Sequence, residues 1–212
     1  MIIRFARQVA AAAVAVPLLL GAAEACSRAS VRGADAAIRP EARIDQALVD
    51  AAIRSELNYQ RCRAGLPRLS EANGLRKVAG QHAKWMAQAR TLSHRSGTPG
   101  QGTTLARIKA SGVRFRAGSE NIGQIARFQI DGKHFRIASS TACGFLGGNG
   151  RAIPPHSYAS LAQTIVAYWM ASADHRRNIL DPSITKVGIG VAFQKSPSGG
   201  LQLYVTQLFI GD

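Results

Sequence analysis

Apolar side chains recur at helical spacing in several stretches of this chain. Ile44, Leu48, Ala51, Ala52 and Leu57 fall near one face and predict a helix from about Ile44 to Ala64, closed by Gly65 and Pro67. Ser70 is placed to cap the next helix, in which Leu75, Val78, Ala79, His82, Ala83 and Met86 keep the same spacing. Thr91 to Gly102 is a polar, glycine-containing loop, and Leu105 to Ala110 predicts a short helix ended by Gly112. Ser157 can cap a further helix from Tyr158 to Ala171, with Leu161, Ile165, Val166 and Trp169 as its apolar stripe.

The period changes near the C-terminus. Val187, Ile189, Val191 and Phe193 alternate with Gly188, Gly190 and Ala192, which predicts a strand with one bulky face and one small face. Ser196 to Gly200 turns the chain, and Leu201, Leu203 and Val205 alternate in a return strand. Helices followed by a hairpin predict a mixed, layered α+β domain. Between these parts, residues 124–157 read as an insertion. Phe128 to Ile130 and His134 to Ile137 flank Asp131-Gly132 as a small hairpin, and a glycine-rich run, Cys143 to Gly150, follows.

The N-terminus reads differently. Arg4 and Arg7 precede an apolar run from Val9 to Leu20, and Ala23-Glu24-Ala25 supplies the small residues of a cleavage site. Residues 1–25 are therefore expected to be a signal peptide, and residues 26–41 a linker without periodicity. The run is short for a membrane span. Export makes disulfides available to Cys26, Cys62 and Cys143. Cleavage would put Cys26 first, which raises a lipid anchor there, although Ala23 stands where a lipobox wants a large aliphatic residue. With Cys26 capped, Cys62 and Cys143 would be left as an even pair, and their bridge would pin the insertion to the first helix.

Lys and Arg total 27 against 12 Asp and Glu, a net charge of +15, and loss of residues 1–25 lowers this by only one. Such a chain is drawn to polyanions. No dense basic run and no aromatic–basic interleaving supports nucleic acid as the partner. An anionic envelope component fits an exported protein better.

Glu120 is the only acid between Ala72 and Ile130, a stretch with ten Lys or Arg. A carboxylate so placed is a site candidate. His94 lies in the polar loop, and His175 follows the Trp169 helix after Ser172 and Asp174, either of which could orient its ring. Two imidazoles and a carboxylate make a minimal metal or acid/base set. His82, on an apolar helix face, reads as a core residue. His156 stands where it could approach a cleft from the insertion. There is no His-Glu-x-x-His, no paired Cys-x-x-Cys, no Gly-x-Ser-x-Gly and no phosphate-cradling glycine loop.

Several segments together resemble a known family. They are Asn58 to Arg61 with Gly65-Leu66 and Leu69, then Ser93-His94, Glu120-Asn121-Ile122, and Trp169 to Ser172 with His175-Arg176 and Asn178-Ile179-Leu180. Val187 to Gly190 and Tyr204 to Gln207 with Phe209 complete the set. The chain is similar to the CAP superfamily of cysteine-rich secretory proteins, antigen 5 and plant pathogenesis-related proteins, and most to its bacterial, SCP-type branch. The resemblance implies an α-β-α sandwich, with a central antiparallel sheet between helical layers, over about 42–212. It also implies a cleft of two His and two Glu that, in some members, binds zinc or another divalent cation. His94, Glu120 and His175 take three of those places, and Ser172 stands where the second Glu is expected. That departure removes one charge and one base, and weakens both metal retention and hydrolysis. The expectation is a secreted or periplasmic binding module for a lipid, an anionic envelope component or a protein partner, with no cofactor required and peripheral or lipid-anchored membrane association as an option. The competing expectation is a metal-assisted or acid/base hydrolase, for example a peptidase. There His94 and His175 would hold a cation or move protons, Glu120 would polarise water, and Ser172 would help.

Overall fold

In the computed structural model, residues 26–39, 43–139, 144–194 and 202–212 are described. The expected signal peptide at residues 1–25, Cys143 and the expected turn at Ser196–Gly200 lie outside them. The sheet has four strands in the order β1-β5-β6-β2: β1 (Ser70–Glu71), β5 (Lys186–Phe193), β6 (Gln202–Gly211) and β2 (Ala117–Ala126). β5, β6 and β2 are antiparallel, and the short β1 adds a parallel edge to β5.

The alternation along β5 and β6 builds two faces. Val187, Ile189 and Val191 join Leu203, Val205 and Phe209 in a core shared with α1 (Gln46–Arg63) and α4 (Tyr158–Ala171). Leu208 and Ile210 point the other way, into a cluster with Leu75, Val78 and Ala79 of α2 (Asn73–Ala89) and Ile108 of α3 (Thr104–Ala110). The result is an α-β-α sandwich, in which each fully buried aliphatic contributes roughly 1.5–3 kcal/mol.

The small face of β5 sets how close α2 can come. A Cβ on Gly190 would lie 2.1 Å from the Gly80 nitrogen, and one on Gly188 would lie 2.3 Å from the Arg76 nitrogen. Helix backbone therefore rests directly on strand backbone. Beyond the two residues of β1, the outer edge of β5 has no strand beside it among the described residues, and α1 side chains serve it instead. Asp50 accepts from the Ile189 amide (2.8 Å), and Gln46 both accepts from the Val191 amide (3.1 Å) and donates to its carbonyl (2.9 Å). The fully buried Arg61 donates to the carbonyls of Pro67, Ile179, Asp181 and Ile184, tying α1 to the loop before β5.

Ser157 caps α4 as expected and forms a reciprocal capping box with Ser160. Other expectations are corrected. Ser70 does not cap α2. It is drawn into β1, and α2 begins at Asn73 after Ala72, without a side-chain cap. Residues 26–39 are not a free linker: Ala34 and Ile38 are buried in the α1–α4 core, and Ala37 bridges to Ser157. Cys62 pairs with Cys26, 36 residues away, rather than with Cys143. The N-terminal segment packs against α1 and brings Cys26 to Cys62. The same sulfur cannot carry both this bond and a thioether lipid.

The hairpin of the insertion is also displaced. β3 (Phe135–Ser139) pairs forward with β4 (Gly144–Gly147), not back across Asp131-Gly132. Asp131 instead folds its carboxylate back to accept from the Ala126 amide (3.3 Å). Among the described residues no helix is long and apolar enough to cross a membrane.

Candidate functional site

Glu120 sits on β2 opposite Leu208, with its side chain 1% exposed. A buried carboxylate needs partners, and it has a full set. Arg107, on α3 and 0% exposed, donates through Nε to Oε2 (2.8 Å) and through Nη2 to Oε1 (2.7 Å). Thr104 donates to Oε1 at 3.0 Å. His94 Nδ1 lies 2.7 Å from Oε1. An ionised carboxylate only accepts, so a ring proton sits on Nδ1 and is donated to it. Arg107 also holds the loop itself, donating to the carbonyls of Gln101 (2.8 Å) and His94 (2.6 Å). Burial alone would raise the Glu120 pKa, but the hydrogen bonds from His94 and Arg107 and the Arg107 charge overcome it and hold the group below its usual range.

His94 is half exposed and Glu120 is not, so the pair is a surface imidazole backed by a buried, neutralised carboxylate. Sequence reasoning missed Arg107 and Thr104. The signal was present in the lone acid among ten cations, but nothing local chose Arg107 from the ten.

His175 lies on α5 (Ala173–Ile179). Asn121, next to Glu120 on β2, donates to the His175 carbonyl (3.2 Å), and Asn178 donates to the Asn121 side-chain oxygen (2.8 Å) and to the Glu120 carbonyl (3.4 Å). Gln207 of β6 accepts from the same Asn121 amide at 2.9 Å. This amide ladder fixes α5 against the strand that carries Glu120. Burial first, and then the His94 charge, lower the His175 pKa. Asp174 does not orient the His175 ring. Its carboxylate accepts from Arg177, also on the exposed side of α5. Ser172 is the half-buried junction between α4 and α5, and no side-chain cap bond marks it.

His82 is buried as expected, stacked on Trp85 and 2.9 Å from the Ser93 carbonyl. It thereby anchors the loop that presents His94. His156 is buried under the insertion beside Ser160, at 3.0 Å, and takes no part in the Glu120 cluster.

A divalent cation does not fit this arrangement. Both Glu120 oxygens are taken by a guanidinium, whose charge would oppose the metal. Among the described residues no group of three or more His, Cys, Asp or Glu is arranged to hold one.

Comparison with known proteins agrees with the sandwich. A search of the curated proteins found no match. Among solved structures, the chain is similar to an extracellular protein containing an SCP domain from Bacillus anthracis. The identity is 24% and the TM-score 0.52, over 77% of this chain and 40% of that one. It is also similar to an outer surface protein from Borrelia burgdorferi, at 18% identity and TM-score 0.52, over 81% of this chain and 98% of that one. These likenesses concern the fold, and the chain spans well under half of the Bacillus protein. The model of the cysteine-rich secretory protein family matches residues 54–209, which include His94, Glu120, Ser172 and His175, and the chain belongs to that CAP family.

Proposed function

We propose that this chain is an exported binding module that recognises an envelope component, a lipid or a protein partner at the surface formed by His94 and its neighbours on α5. The observation that carries this reading is the Glu120–Arg107 pair. A carboxylate held below its usual pKa range by hydrogen bonds from His94 and from the Arg107 guanidinium is a poor general base and a poor metal ligand. What it does well is hold an imidazole in one orientation for hydrogen bonding. Export is supported by the apolar run at residues 9–20 and by the secretory family match. Lipid extraction and mass spectrometry of the purified protein test the reading. The parent should retain a molecule that His94→Ala releases, and an empty parent would overturn it.

The hydrolase reading keeps one specific support. The 2.7 Å contact between His94 and Glu120 resembles a base and its orienting acid. It lacks a nucleophile in contact with the ring, since no bond joins Ser172 to either histidine among the described residues. Substrate profiling beside His94→Ala separates the readings: turnover lost in the variant would replace binding by catalysis.

A further inference from the structure

The insertion after β2 carries a surface that the His94 site does not use. Phe128, Phe145 and Phe135 pack in a row, the first two rings tilted with centroids 5.0 Å apart and the last two edge to face at 5.4 Å. Phe145 is buried and Phe128 is half-buried, but Phe135 at one end of the row is 44% exposed, and Ile137, two residues along the same strand, is 65% exposed. The register explains the exposure of Phe135. Phe135 stands opposite Gly147, which has no side chain to lay across it, while Ile137 stands opposite Phe145. Among the described residues, β3 has only β4 beside it in its two-stranded sheet.

Cations flank this apolar pair: Arg136 lies between the two in the strand, and Lys133 and Arg151 line one hollow with Gly147, the residue opposite Phe135. Lys133, Arg136 and Arg151 are exposed and form no ion pair among the described residues. Arg127 lies over the Phe128 ring, at 4.9 Å. Asp131 is the only acid in residues 127–156, and its carboxylate is turned inward onto the Ala126 amide. Two uncovered apolar side chains are too little for a stable protein interface. They suit shallow entry into a lipid surface, where neighbouring cations meet anionic headgroups.

We propose that the face carried by Lys133 to Ile137 and Arg151 docks this protein on an anionic lipid surface. Phe135 and Ile137 enter the boundary between headgroups and acyl chains, and Lys133, Arg136 and Arg151 hold lipid phosphates. This surface is separate from the His94 site, and its test does not depend on what that site binds.

The test is co-sedimentation of the protein with vesicles of phosphatidylglycerol and phosphatidylcholine, against vesicles of phosphatidylcholine alone. The parent should bind the anionic vesicles and not the neutral ones. F135S/I137S and K133E/R136E should each weaken binding by about ten-fold or more. K77E/K84E makes the same charge change on exposed residues of α2 and should cost less than about three-fold. Equal losses in the two charge variants would assign binding to overall charge and overturn the proposal. Unchanged binding in F135S/I137S would do the same, and would turn attention to strand pairing with a protein. Phe135→Trp gives a readout that needs no loss of residues: brominated lipid should quench its fluorescence beyond the parent's Trp85 and Trp169 background. No added quenching would overturn the proposal.

Discussion

Arg107 grips Glu120 with two hydrogen bonds, at 2.7 and 2.8 Å, with both side chains removed from solvent. The pair joins α3 to β2, and through the His94 carbonyl it fixes the loop between α2 and α3. Removing one partner strands the other charge in the interior. Arg107→Met and Glu120→Gln should each cost about 3–5 kcal/mol in urea unfolding. An Arg107→Met/Glu120→Met double variant should lose clearly less than the sum. Additive losses would show that the pair does not act as a unit.

Acid should weaken the fold before the carboxylates titrate. His82 and His156 are buried with pKa values lowered to about 4, mainly by burial. Their folded values lie below the unfolded value, so the unfolded chain binds the extra protons. The stability they contribute is complete above pH 6.5 and is lost as pH falls from there through about 4. Each histidine accounts for at most about 3 kcal/mol. Glu120, also lowered, adds a further loss below its ordinary 4.5. Unfolding midpoints measured across this range should fall steadily, and His82→Gln or His156→Gln should flatten the slope. A flat profile in the parent would contradict the burial of both rings.

The Cys26–Cys62 bond closes a loop of 36 residues' separation. Cys62→Ser should lower stability by about 2–4 kcal/mol. Peptide mapping without reductant should recover Cys26 joined to Cys62. A lipid on Cys26, or a Cys62–Cys143 peptide, would contradict the pairing.

The contact between α2 and β5 admits no side chain at its closest point. A Cβ at Gly190 meets Gly80 backbone at 2.1 Å. Gly190→Ala should cost roughly 1–3 kcal/mol or more, because backbone rather than a flexible side-chain end must move. Gly148→Ala, with open space around it, serves as the comparison and should change the thermal midpoint little.

Zinc titration by calorimetry should give no metal-dependent heat with the parent protein, since Arg107 already holds both Glu120 oxygens. Heat that disappears in His94→Ala would restore the metal site.

Much of the secondary structure was legible along the chain. The span of α4, its Ser157 cap and the bulky and small faces of β5 follow from spacings of two to four residues, where side-chain direction is set by local backbone geometry, whereas the strand that carries Glu120 and the helix that carries His175 were not read from the chain. The partnerships were not legible. Ten cations surround Glu120 in sequence, and Arg107 is the one that α3 delivers to it. Cys62 had two candidate partners, and the packing of residues 26–39 against α1 and α4 chose Cys26. Asp131-Gly132 had the composition of a hairpin turn, yet the Asp131 carboxylate went to Ala126 and the strand pairing moved forward. Periodicity is a property of neighbours, whereas pairing between distant residues depends on where the layers bring the chain back, and that is settled by the packing of the whole sandwich.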